Sequence, residues 1–221
     1  MAARPRQREV GTLSFAKMSA RPSEYVVPDQ FQAMTGLNNP ALAASLWQTP
    51  MLRLSIDDFL RDSLLPLPQL PGDTAGMYES IVFSSRDELL RLARIQSVLI
   101  NFSAVISTTQ SQRLNTVIEW CGDARVLDVL RKGNLPVFAA FPVLSSLSID
   151  MLELYAGHVL THLIGVLPKA CRQRLLLRFP AGTFAGEKVF PAEDPDRQVF
   201  ETYVRLAVPI WSSGEAQDAQ D

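Results

Sequence analysis

With 221 residues and 47% apolar content, the chain can bury a core without disulfide staples, and its length favours one domain with an appended segment. Lys and Arg number 21 against 23 Asp and Glu, so a net charge of -2 excludes a global field drawing the protein to nucleic acid or anionic lipid. Two cysteines far apart, Cys121 and Cys171, fit free thiols in a reducing compartment, with the cytoplasm as the default.

The N-terminal stretch MAARPRQREVGTLSFAKMSARPSE has arginines but no apolar run of the length a secretory signal requires. Residues 1–28 are therefore expected to be a disordered basic arm; Glu9 and Glu24 argue against an organelle transit peptide, and Met18 or Met34 is as good a start as Met1. Asp29 is placed to cap a helix that Gly36 and Pro40 divide in two, the second part running through Leu46 and Trp47. Ser55 and Asp58 then open a short helix in SIDDFLRDSLL. The prolines of LPLPQLPG cannot continue it, so residues 29–84 read as short helices and a Pro-rich linker, with 63–80 a protease-sensitive joint.

Ser85-Arg86-Asp87-Glu88 has capping-box spacing and starts a main helical domain, 85–211. The helix it opens should reach about Ile106, with Leu92, Ile95, Leu99, Phe102 and Ile106 on its apolar face and Asp87 and Arg91 as an i,i+4 pair on the wetter side. Further helices are expected over Thr109–Glu119, over Asp123–Lys132 ending at Gly133, from near Ser148 to about Val166, and from Asp196 to about Ala207. LLLRF and EKVF read as the strands of one small β-hairpin near residues 174–190, Pro142 breaks the chain, and 212–221 is a disordered tail. The expected fold class is mainly α, a compact irregular helical domain with long loops. No window approaches 18 uninterrupted apolar residues, so no direct membrane insertion is expected.

The motifs argue against chemistry. His158 and His162 share a helix face, yet Val159 follows the first histidine where a zincin has its glutamate, and Cys171 lies beyond Pro168 without ligand spacing. Packed or surface histidines are the simpler reading. GTFAGEKV fails as a phosphate loop because its glycines are four apart and Val189 follows Lys188. No G-x-S-x-G elbow surrounds a serine and no histidine is implicated beside either cysteine, so no catalytic, cofactor or metal residue is assigned. Lys169, Arg172, Arg174 and Arg178 form a local basic cluster, but only Phe179 supplies an aromatic, which is poor for nucleic acid. Its arginines either solvate the ends of a buried LLL strand or meet a protein partner.

The segment Arg174-Leu175-Leu176-Leu177-Arg178-Phe179-Pro180 resembles the R-L-x-L-R-[FL]-P stretch of the cytosolic sorting-platform adaptors of bacterial type III secretion, the SctK or YscK family. Looser similarity runs back through LINFSAVISTTQSQRLNTVIEW and VLDVLRKGNLPVF and covers residues 90–210; the first eighty residues or so match nothing in it. The resemblance implies a non-enzymatic helical scaffold, without cofactor, that links the inner-membrane ring's cytosolic domain to the platform's pod protein. It would lie in the cytoplasm, peripheral to the inner membrane through partners. On this reading Arg172, Arg174, Arg178, Trp120 and Trp211 are the candidate partner-binding residues. A secretion chaperone or regulatory binding module, and a hydrolase whose site assembles only in the fold, are the alternatives.

Overall fold

The structure, a computed structural model, describes residues 21–37, 39–64, 72–107, 111–133, 135–136, 144, 148–184 and 195–212. The chain is mainly α, and the described residues include no strand. They divide into two units: one joins Met1–Arg86 to Leu167–Gly186, the other joins Asp87–Val166 to Glu187–Asp221. Residues 167–186, expected within the main domain, thus pack with the N-terminal segment. The expectations for 1–20, for the prolines of 65–71, for Pro142, for 185–190 of the hairpin and for 213–221 lie outside the described residues.

The first unit opens with a single 3-10 turn, Pro22–Glu24, in which Pro22 and Ser23 are buried. Asp57, itself buried, accepts the Ser23 backbone N–H at 2.8 Å, so residues 21–28 are ordered structure and not part of an arm. Helix α1 spans Pro28–Thr35 with Val27 as its N-cap, because Pro28 suits the first helical position and moves Asp29 inside the first turn. Gly36 closes it at φ 69°, a left-handed conformation that glycine adopts without strain. Helix α2, Pro40–Gln48, is capped by Asn39, whose side chain accepts from the N–H groups of Ala41 and Leu42 at 3.0 and 3.2 Å.

Helix α3 runs from Pro50 to Ser63, five residues earlier than Ser55 suggested. Pro50 holds Thr49 extended (ψ 110°), ending α2 and starting α3 at one residue. Helix α4, Gly72–Phe83, occupies the second half of the stretch, 63–80, expected to be a proteolytic joint. Helix α10, Lys169–Leu176, completes this unit.

Here the hairpin expectation fails: residues 174–176 are helical, and 177–184 are turns and irregular chain. Lys, Ala, Arg, Gln and Leu are all good helix formers, and the stretch from 169 to 177 has no β-branched residue to favour a strand. The leucines divide as a helix and its closing turn divide them. Leu175 and Leu177 are buried whereas Leu176 is half-buried. Leu177 joins Val26, Phe31, Ile56 and Leu60 in one apolar cluster, with Leu37, Leu46, Trp47 and Leu64 against it.

In the second unit, helix α5 covers Arg86–Ile100, with Arg86 itself counted in the first unit, and α6 covers Phe102–Ile106. The single helix expected to Ile106 is broken at Asn101, which is wholly buried. Its Nδ2 donates to the Ser97 carbonyl at 2.9 Å, and its Oδ1 accepts from Leu144 N–H at 3.3 Å, so the side chain competes for backbone groups at the break. Past the break the register turns, and Ile106, assigned to the apolar face, is 60% exposed.

Helix α7 is Ser111–Cys121, α8 is Val126–Lys132 closed by Gly133 at φ 67°, α9 is Ile149–Val166 and α11 is Pro195–Ser212. Along α9, Leu152, Tyr155, Ala156, Val159, Leu160, Leu163 and Ile164 are buried at three- and one-residue steps, the stripe of a one-sided helix. None of the described helices is both long and apolar enough to cross a membrane.

Asp123 anchors the start of α8. Its carboxylate, 8% exposed, pairs with Arg91 of α5 at 3.4 Å and receives the Arg125 backbone N–H and Nε at 2.9 Å each, while Arg125 Nη2 also meets it and donates to the Ile210 carbonyl of α11 at 2.7 Å. Arg91 therefore bridges to a distant carboxylate in addition to standing four residues from Asp87. Burial pushes the Asp123 carboxyl up, but the hydrogen bonds and charge of Arg125, with the charge of Arg91, outweigh it and hold the group below its usual range.

Two predictions follow from these contacts. Leu175→Ala should lose on the order of 2–5 kcal/mol in urea denaturation, and Leu176→Ala clearly less, which a strand with the middle leucine buried would reverse. A folded-state pKa below the unfolded value of about 3.9 stabilises the native state above that pH and ceases to as pH falls through the depressed value. Wild-type stability should therefore drop as pH falls below about 4 in a way that Asp123→Ala, already weakened at neutral pH by loss of these contacts, does not reproduce.

Candidate functional site

The first unit carries a cleft of about 480 Å³, open mouth included, lined by Pro22, Tyr25, Val26, Arg61, Leu64, Arg174 and Leu177. Three parts of the chain build it: the 3-10 turn and the two residues after it, the end of α3, and the end of α10 with its following turn. The Val27 N–H donates to the Leu177 carbonyl at 2.8 Å, tying the first part to the third. Beneath, Val26 and Leu177 belong to the apolar cluster, so the floor is fixed by packing.

Arg61 and Arg174 bring positive charge to this wall from α3 and α10. Arg61 stands 3.1 Å from Asp58 in an exposed pair. Arg174 donates from Nη1 to the Ala170 carbonyl at 3.1 Å, which lays the guanidinium back along its own helix. Burial lowers the Arg174 pKa, opposed by the neighbouring Cys171; a guanidinium nonetheless stays charged at any physiological pH. The Arg178 guanidinium lies 5.6 Å from the centre of the Tyr25 ring, a cation–π contact that supports the ring lining the cleft.

The sequence-assigned partner residues thus have different fates. Arg174 lines the cleft, Arg178 supports its wall through Tyr25, and Arg172 is half-buried on α10 without lining it. Trp120 and Trp211 belong to the second unit. Trp120 is half-buried; its Nε1 donates to Glu153 at 2.6 Å, and Arg94 both stacks 5.6 Å from its ring and grips Glu153 with two hydrogen bonds of 3.2 and 3.1 Å. Those bonds from Arg94 and Trp120 hold the Glu153 carboxyl below its usual range despite partial burial.

Trp211 is 3% exposed, which removes it as a docking residue. Helix α11 continues past the expected end at Ala207, so Phe200, Tyr203, Val204, Ala207, Ile210 and Trp211 form one buried stripe at three- and one-residue steps. Missing from the sequence reading were Arg61, Tyr25 and Val26. Arg61 lies in SIDDFLRDSLL, read only as a short helix, and Tyr25 and Val26 lie in 1–28, expected to be an arm.

His158 is exposed on α9, and His162 Nδ1 stands 3.0 Å from the His158 carbonyl with its ring 5.9 Å from that of Phe200. The second histidine is thus a packing residue between α9 and α11. Among the described residues no group of three or more His, Cys, Asp or Glu is placed to hold a metal. Both cysteines are buried free thiols, and burial raises the Cys121 pKa, which disfavours the reactive thiolate.

No family model, curated protein or solved structure matches the chain.

The contrast between the tryptophans is measurable. A variant keeping only Trp120 (Trp47→Phe, Trp211→Phe) should be quenched by acrylamide several-fold more readily than one keeping only Trp211, and equal quenching would contradict the burial of Trp211.

Proposed function

We propose that the protein is a non-enzymatic adaptor of the cytosolic sorting platform of a bacterial type III secretion injectisome, joining the inner-membrane ring's cytosolic domain to the pod protein. The observation that carries the reading is the setting of Arg174-Leu175-Leu176-Leu177-Arg178-Phe179-Pro180, the segment that resembles the adaptor family. Its buried leucines fix it in the first unit, and its two arginines are directed to a surface cleft and to that cleft's aromatic wall. A segment built in this way divides labour between packing and recognition. A small, partly apolar surface with charge at its edge suits association between proteins, where rim charges steer encounter and apolar contacts slow dissociation.

Such an adaptor works by simultaneous binding, and its location follows from its partners. It would lie in the cytoplasm against the inner membrane without inserting in it.

Co-purification of the full chain with the ring's cytosolic domain and with the pod protein is the direct test. Both should be retained at low salt and released as salt rises. Arg172→Glu with Arg174→Glu should weaken retention tenfold or more while the variant keeps its cooperative unfolding. Failure of the folded wild-type chain to retain either protein would overturn the adaptor assignment.

A further inference from the structure

We propose that the cleft between the Pro22–Val26 segment, the end of α3 and the end of α10 is a docking site for a short protein segment that presents a carboxylate beside an aliphatic side chain. It deepens the adaptor reading, and rests on it for the statement that the segment belongs to a platform protein.

The chemistry of the occupant is read from the lining. Pro22, Val26, Leu64 and Leu177 offer aliphatic surface, and Tyr25 adds an aromatic wall. Val26 and Leu177 are packed from behind by the cluster, so this surface is in place before a partner arrives. Aliphatic side chains are the complement to such a wall.

Among the described residues the charged groups that line the cleft are both arginines, and they come from elements more than a hundred residues apart in the chain, α3 and α10. Guanidinium groups select planar anions with two oxygens, carboxylate among them. The Arg61 partnership with Asp58 is exposed on both sides, 51% and 69%, the kind of surface pair that contributes little and that an incoming carboxylate can exchange. Arg174 is more enclosed, and its charge acts through a wall of lower dielectric than water, which strengthens its pull on an anion.

A continuing polypeptide fits better than a free small molecule. The lining pairs an aliphatic floor with charge at its wall, a combination that one or two neighbouring side chains of a polypeptide segment complement. It accepts one or two side chains of a segment that runs on across the surface.

The test uses the full-length, isotope-labelled chain and two probe peptides, acetyl-Leu-Glu-Leu-amide and acetyl-Leu-Gln-Leu-amide, followed by amide chemical shifts. The glutamate peptide should shift Tyr25, Val26 and Leu177, more strongly at low salt than at high. The glutamine peptide should bind tenfold or more weakly. Arg61→Gln with Arg174→Gln should remove the difference between the peptides, while Arg131→Gln on α8 should leave it unchanged. Equal binding of both peptides, shifts confined to other residues, or no shift at millimolar peptide would overturn the proposal.

The two readings fail separately. If the ring or pod protein is retained at full strength by the folded Arg61→Gln, Arg174→Gln variant, the cleft is not the platform contact and the adaptor assignment survives. If the glutamate peptide binds as stated but neither platform protein is retained, the cleft's chemistry stands and the adaptor assignment falls.

Discussion

One backbone hydrogen bond, from the Val27 N–H to the Leu177 carbonyl at 2.8 Å, joins segments 150 residues apart and fixes the geometry on which the cleft depends. Alone it contributes about 1 kcal/mol, little against the entropy of closing so long a loop. Its strength comes from company. The Leu177 side chain enters the cluster of Val26, Phe31, Ile56 and Leu60, and burying a leucine contributes about 1.5–3 kcal/mol. With Leu177 pinned at both backbone and side chain, the residues around it have fixed places. Arg174, three positions earlier, faces the cleft, and Arg178, one position later, faces the Tyr25 ring.

The second unit uses its arginines in another way. Arg91, Arg94 and Arg125 each meet a carboxylate of the same unit, the first and third at Asp123 and the second at Glu153. Each acid gathers donors from distant parts of the sequence, so the arginine charges there serve cohesion. In the first unit Arg61 and Arg174 share a surface cleft.

Much of the helical order was legible because it rests on local chemistry. Gly36, Pro40 and Gly133 mark boundaries through constraints on their own φ angles, and the stripe of α9 repeats long enough to be unmistakable. What stayed illegible depends on distant partners. Nothing near Asn101 announces that Leu144, 43 residues on, will donate its N–H to the Asn101 side chain where the helix breaks. The burial of Val26 requires Leu177, and a window of twenty residues around Val26 cannot contain it. The strand reading of LLLRF gave weight to a short apolar run, although such runs do not distinguish a strand from a buried helix end and leucine is not β-branched. As for the site, Arg174 and Arg178 were visible as charge beside leucine, while the convergence of Arg61 and Tyr25 on them exists only in the fold.

The helical form of the segment changes what its arginines can do. In a strand, Arg174 and Arg178 would project from one face about 13 Å apart, with similar solvated surroundings. Here the helix ends at Leu176 and the chain turns, with the Arg178 and Phe179 N–H groups reaching back to the carbonyls of Leu175 and Leu176 at 3.1 Å each. The turn separates the two environments: one guanidinium lies in an apolar-walled cleft, the other against an aromatic face. Lysine would keep the charge at either place, but it lacks the planar guanidinium that lies over Tyr25 in the second and that would suit a two-oxygen anion in the first. With a net charge of only -2 over the whole chain, long-range attraction supplies little selectivity. Selectivity at this cleft would therefore rest on short-range geometry of this kind, an arginine held by its own helix at the edge of a preformed aliphatic floor.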